Sequence, residues 1–197
     1  MGSECAAVTT EWENVPAETL QALSRHCPVH PAPGAVAIAR DRILEKTFIR
    51  DHGLSTAAFE PVYEAADLDE AFGELQPPML LKTASLGYDG KGQVRVDTLE
   101  DARSAFEQLG NRPCVLEEMV DLAREISVVL ARGNDGRQAV YPVGENRHVN
   151  GILDTTLVPA SIDEASREMA VSQRMSSENN CQAIGFVPNR EVVTEYT

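Results

Sequence analysis

The sequence predicts an α+β fold, and three features carry the prediction. Short apolar runs at residues 57–62, 79–81, 94–96 and 114–120 have the length and composition of strands. Between them lie stretches with apolar residues at helical spacing: Leu68, Phe72 and Leu75, then Leu99, Ala102, Phe106 and Leu109. Beyond residue 114 the strand candidates follow one another through turn signals, so a helix-containing unit gives way to an antiparallel sheet.

A chain of 197 residues has room for one domain of ordinary size, or for one domain and part of another. Its 43% hydrophobic content suffices for a packed core, and no apolar run reaches the length of a membrane span. The formal net charge of −14 argues against a polynucleotide partner, whose binding rests on counterion release by Lys and Arg. It leaves room for a nucleotide held by a local cluster of cations. The four cysteines, Cys5, Cys27, Cys114 and Cys181, are scattered, which indicates neither a zinc ribbon nor a disulfide framework. Residues 1–5 lack the basic and apolar regions of a leader, so a cytoplasmic protein is the expectation.

In chain order, residues 6–16 open as a short β-favouring run and end in a turn at Asn14-Val15-Pro16; residues 17–26, with Leu20 and Leu23, read as a short amphipathic helix. Pro28, Pro31 and Pro33 suit an extended connector. Residues 34–52 read as one long helix, with Val36, Ile38, Ile43, Leu44, Phe48 and Ile49 on its apolar face and Gly53 as its stop. Arg40, Asp41, Arg42, Glu45 and Lys46 then form a solvated polar face. Residues 67–75 form the next helix, and Thr98 caps another that ends at Gly110. Strands follow at 114–120, 125–132 and 138–143, the last two joined by a hairpin turn at Gly133-Asn134-Asp135-Gly136. Residues 144–151, carrying Glu145, Asn146, Arg147 and His148, read as a polar loop, residues 152–159 as extended and 163–177 as helical.

The candidate site is the segment Lys82-Thr83-Ala84-Ser85-Leu86-Gly87-Tyr88-Asp89-Gly90-Lys91-Gly92-Gln93, placed between the strands at 79–81 and 94–96. Glycines let a backbone turn tightly and offer N–H groups to an anion, and the lysines add positive charge. Read from the residues alone, the loop is either a tight turn or a flexible phosphate flap. It is not a Walker loop, because no Gly-Lys-Ser/Thr opens a helix after it.

The order of motifs resembles the ATP-grasp family, and within it the 5-(carboxyamino)imidazole ribonucleotide synthases of purine biosynthesis. The matching segments are Glu13-Asn14-Val15-Pro16, Asp41-Arg42 with Glu45-Lys46, Leu81-Lys82-Thr83, Gly87 to Gln93, Leu116-Glu117, Glu125-Ile126-Ser127-Val128, Tyr141-Pro142, Asn146 with His148, and Gly151-Ile152-Leu153. The resemblance spans roughly residues 6–185. It implies an ATP-grasp fold, two α+β subdomains enclosing ATP, preceded by the tail of a Rossmann-like domain. The divisions it implies are 1–28 for that tail, 29–53 for a connecting helix, 54–113 for a small subdomain with the glycine loop and 114–197 for a large one.

The resemblance also implies an activity: ATP, with Mg2+, phosphorylates bicarbonate to carboxyphosphate, and the carboxyl group passes to the exocyclic amine of aminoimidazole ribonucleotide. Lys82 and Arg42 are then the cations that approach the nucleotide, and Gly87, Gly90, Lys91, Gly92 and Gln93 close over its phosphates. Tyr88 and Asp89 lie near bicarbonate and the imidazole nucleotide, and His148 near the carboxyphosphate. The strand end with Glu117, Glu118 and Val120 binds adenine, and Glu125 accepts hydrogen bonds from the ribose. For the full-length family the resemblance implies a homodimer, and nothing in it points to a nucleic acid or a membrane.

Two departures from the family pattern bear on activity. Only the last strand and helix of the Rossmann-like domain are expected, so the resemblance implies a sequence incomplete at both ends. Counting from Gly185, the family's first magnesium-binding acid falls on Arg190, with Glu191 one place late and Pro188 inside the strand, so neither Glu191 nor Glu195 is assigned to the metal. A nucleotide-binding or assembly module without turnover is therefore the alternative reading, and an ATP-grasp ligase with a different acceptor is a further one.

Overall fold

The computed structural model describes residues 2–10, 12, 14–87, 92–133, 136–149, 152–176 and 193–194. At the amino-terminal end a 3-10 turn at Gly2–Glu4 precedes helix α1, Ala17–Leu23. The run at 6–16 contributes one isolated parallel bridge, Val8 to Val29, in place of the expected strand. Leu20, Val29 and Val36 bury one another there as a small core.

Residues 34–52 form two helices where the sequence pattern suggests one: α2, Pro33–Ala39, and α3, Arg42–Asp51. Asp41 causes the break. It is extended, and its carboxylate accepts hydrogen bonds from the Ile43 and Leu44 N–H groups at 2.9 and 3.2 Å, which starts a fresh helix at Arg42. Gly53, at φ +73°, ends α3 in the left-handed region.

Strands β1, Phe59–Val62, β2, Met79–Thr83, β3, Gln93–Val96, and β4, Cys114–Glu118, form one sheet in the order β1-β4-β2-β3. Every pairing in it is antiparallel. Helices α4, Asp67–Glu74, and α5, Leu99–Gln108, alternate with the strands. Thr98 and Asp101 cap α5 reciprocally, each side chain serving the other's backbone N–H. Because successive strand residues face opposite sides, Met79, Leu81, Leu116 and Val96 meet Leu68 and Phe106 of α4 and α5 in the main core. Phe59 and Val115 face the other way and pack with Ile43 of α3. β4 lies between β1 and β2, so the change of sheet comes after Glu118 and not at residue 114. Pairing between distant segments, invisible to local pattern, decides this.

The second sheet has the order β10-β5-β8-β9, with β5 at Glu125–Ser127, β8 at Gly144–Val149, β9 at Ile152–Leu157 and β10 at Val193–Thr194. A separate hairpin pairs β6, Leu130–Arg132, with β7, Gln138–Val140, so the run 125–132 makes two short strands instead of one. Residues 144–149, expected as a polar loop, are a strand: β8 pairs with β5 on one side and β9 on the other. Across the ladder, Asn146 Oδ1 accepts from Thr156 Oγ1 at 2.9 Å. Ile126, Val128, Val143 and Ala160 form the core beneath this sheet with Ala170 of helix α6, Glu164–Ser176.

Candidate functional site

The neck of the glycine loop is built from β2 and β3. Lys82 pairs with Gln93 in register, and the Thr83 N–H donates to the Gly92 carbonyl at 2.9 Å. Gly87 and Gly92 approach each other so closely that a Cβ on Gly92 would sit 2.8 Å from Gly87 Cα and 2.7 Å from Thr83 Oγ1. That contact is backbone against backbone, which explains why glycine stands there. Arg42, at the first turn of α3, ties down the same segment twice. Its N–H donates to the Ala84 carbonyl at 2.8 Å and its guanidinium to the Gly87 carbonyl at 3.3 Å. Tyr88, Asp89, Gly90 and Lys91 lie outside the described residues.

Behind the neck, Glu117 is buried in β4 with 4% of its surface exposed. Lys82 from β2 contacts one of its carboxylate oxygens, and Lys46 from α3 contacts the other at 2.6 Å. Lys46 also donates to Thr56 Oγ1 at 3.0 Å and lies 5.3 Å from the centre of the Phe59 ring. Burial alone would raise the Glu117 pKa, but Lys82 and Lys46 outweigh it and hold the carboxyl below its ordinary value. Burial pushes the Lys46 ammonium down, against the attraction of Glu117.

Lys46 corrects the sequence reading, which put it on a solvated face. It is buried, on the stripe that also buries Ile43 and Ile49. The signal was present: Lys46 stands three residues from each of these isoleucines, so helical spacing places it on the buried side. What the spacing could not supply was the acid that compensates it.

Glu118 and Val120 follow Glu117 directly in the chain. Glu118 Oε1 accepts from the Gln76 N–H at 2.8 Å, so that carboxylate braces the turn before β2. Val120 is half-buried in residues 119–124, the connection from β4 to β5. On the second sheet, Glu125 and His148 come together. Glu125 is opposite Asn146 in the β5–β8 register, and His148 Nδ1 lies 3.0 Å from Glu125 Oε2. A register shift between Arg147 and His148 lies immediately before that histidine. The structure thus forms two clusters: Arg42 of α3 with Lys82, Gly87, Gly92, Gln93 and Glu117 at the first sheet, and Glu125 with His148 on the second. No group of three or more His, Cys, Asp or Glu side chains able to hold a metal occurs among the described residues, and residues 190, 191 and 195 lie outside them.

A glycine-loop neck, two lysines on one strand-borne acid and a neighbouring helix arginine make a cradle suited to polyphosphate. A family model described as the ATP-grasp domain matches residues 47–186. The chain belongs to the ATP-grasp family. A second model, the ribonucleotide synthetase preATP-grasp domain, matches residues 1–40.

Among similar ATP-grasp proteins, the N5-carboxyaminoimidazole ribonucleotide synthase of Pseudomonas aeruginosa is 44% identical over 153 residues, which is 78% of this chain and 42% of the relative. The enzyme of the same name from Brucella melitensis is 38% identical over 182 residues, 91% of this chain and 49% of the relative. The crystal structure of N5-carboxyaminoimidazole synthetase from Staphylococcus aureus complexed with ADP superposes with a TM-score of 0.85 at 33% identity, covering 93% of this chain and 49% of that one. The chain therefore spans about half the length of the curated relatives it matches. The α+β ATP-grasp fold expected from the motifs is the fold found. No described helix is long and apolar enough to cross a membrane.

Proposed function

We propose that this chain supplies the nucleotide-binding part of an ATP-dependent carboxylase that joins bicarbonate to aminoimidazole ribonucleotide in purine biosynthesis. The observation that carries the reading is the meeting of Lys82, Arg42 and the Gly87–Gly92 neck, 40 to 50 residues apart in sequence for the arginine, at one end of the first sheet. ATP would supply an activated phosphoryl group for bicarbonate. Lys82 and Arg42 would offset charge on that group as it transfers, and the loop over residues 87–93 would cover it and exclude water. Glu118, Val120 and the backbone at Glu117 would border the adenine, and Glu125 would hold the ribose, with His148 fixing the orientation of its carboxylate. Tyr88 and Asp89 would face the acceptor. In this reading the glycine-loop subdomain runs through β4, the second subdomain begins with β5, and residues 1–28 belong to the preceding domain. Homodimer formation and a cytoplasmic location are part of the same proposal.

Calorimetry with ATP and Mg2+, followed by an assay of phosphate release with bicarbonate and aminoimidazole ribonucleotide, tests it. Binding that Lys82→Ala weakens at least tenfold, together with acceptor-dependent phosphate release, supports the carboxylase. Binding without release supports a nucleotide-holding module. Release that is equal with and without the acceptor points to a ligase of another specificity, and no binding overturns the reading.

A further inference from the structure

Glu117 serves two ammonium groups that arrive from different elements and are not equivalent. Lys46 comes from α3 and Lys82 from β2, and they end on different carboxylate oxygens. The Lys46 side chain is 10% exposed and is further fixed by Thr56, whereas that of Lys82 is 21% exposed. Two positive charges against one negative leave the cluster with a net charge of +1. Remove the inner cation, and Lys82 with Glu117 becomes a neutral pair, in which an arriving phosphate must compete with an undivided carboxylate.

We propose that Lys46 is a positioning residue for anion binding. By sharing Glu117 it keeps the buried cluster cationic and leaves the outer lysine, Lys82, available to a phosphate. The inference rests on the reading of Lys82 as a phosphate-contacting lysine and goes beyond it by giving a role to a helix residue whose charge acts through Glu117.

Calorimetric titration of the full chain with ATP, in the wild type and in folded variants, decides it. Lys46→Met is expected to weaken ATP binding roughly tenfold, the scale of one partly screened charge near the anion. Lys46→Arg, which keeps the charge, should retain most of the affinity. The double variant Lys46→Met with Glu117→Gln removes the inner cation and the competing carboxylate together, and should recover affinity relative to Lys46→Met. A purely structural role predicts the opposite, a double variant no tighter than the single one, and that result overturns the inference. Lys46→Gln replaces Lys46→Met in both comparisons if circular dichroism shows the methionine variants unfolded, with the same outcomes. Lys82→Ala separates the two levels. If it leaves ATP binding unchanged, the reading of the site fails; if it weakens binding while Lys46→Met does not, the inference about Lys46 alone fails.

Discussion

Thr83 and Gly92 close the neck of the glycine loop: the Thr83 N–H donates to the Gly92 carbonyl at 2.9 Å, while the Thr83 hydroxyl occupies the space a Cβ on Gly92 would need. The loop's two legs are held in register by that bond, and Arg42 fastens one of them to α3. Anything added inside the neck must push the legs apart.

Gly92→Ala should therefore lower stability by about 1–3 kcal/mol, the usual cost of overpacking, measured by urea denaturation. Gly87→Ala should cost less, because its Cβ is tight only against Thr83 Oγ1, at 2.7 Å, and clears the Gly92 backbone by 3.7 Å. Adding Thr83→Ala should relieve Gly87→Ala but not Gly92→Ala, whose clash with Gly87 Cα remains. Equal rescue of both would contradict this account.

The Glu117 cluster gives an acid signature. A carboxyl whose folded pKa is depressed contributes stability that is fully present above its unfolded value, near 4.5, and lost as pH falls through the folded value. Glu117→Gln should cost about 3 kcal/mol at neutral pH by leaving two lysines without their counter-charge. The gap between wild type and variant should narrow steadily as pH drops below 4.5, in thermal melts followed by circular dichroism. A gap that stays constant into strong acid would sink the assignment.

Helix capping supplies a control that separates folding from binding. Thr98→Ala removes the acceptor for the Asp101 N–H and breaks the reciprocal cap of α5, which should cost about 1 kcal/mol. Since α5 covers the face of the sheet opposite Lys46 and Glu117, ATP affinity at a temperature where the variant is folded should match wild type in calorimetry.

Thiol reactivity should follow burial. Cys114 is fully buried in β4, and burial pushes its pKa up to about 11. At neutral pH a maleimide should label the exposed Cys5 within minutes, and peptide mapping should find Cys114 modified only after denaturant is added.

Signals legible in the sequence were those that act over a few residues. Apolar spacing marked α4 and α5, Thr98 announced its cap, and glycines between two apolar runs marked the loop that β2 and β3 now flank. The ordered motifs pointed to the ATP-grasp family, which the match over residues 47–186 bears out. Tertiary structure decided what depends on partners far along the chain. β4 enters the first sheet because β1 and β2 pair with it, and residues 144–149 become a strand because β5 and β9 satisfy their backbone. Lys46 could turn inward only because Glu117, 71 positions later, waits there to balance it. A charge is buried when its counter-charge is already in place, and no local pattern contains that information.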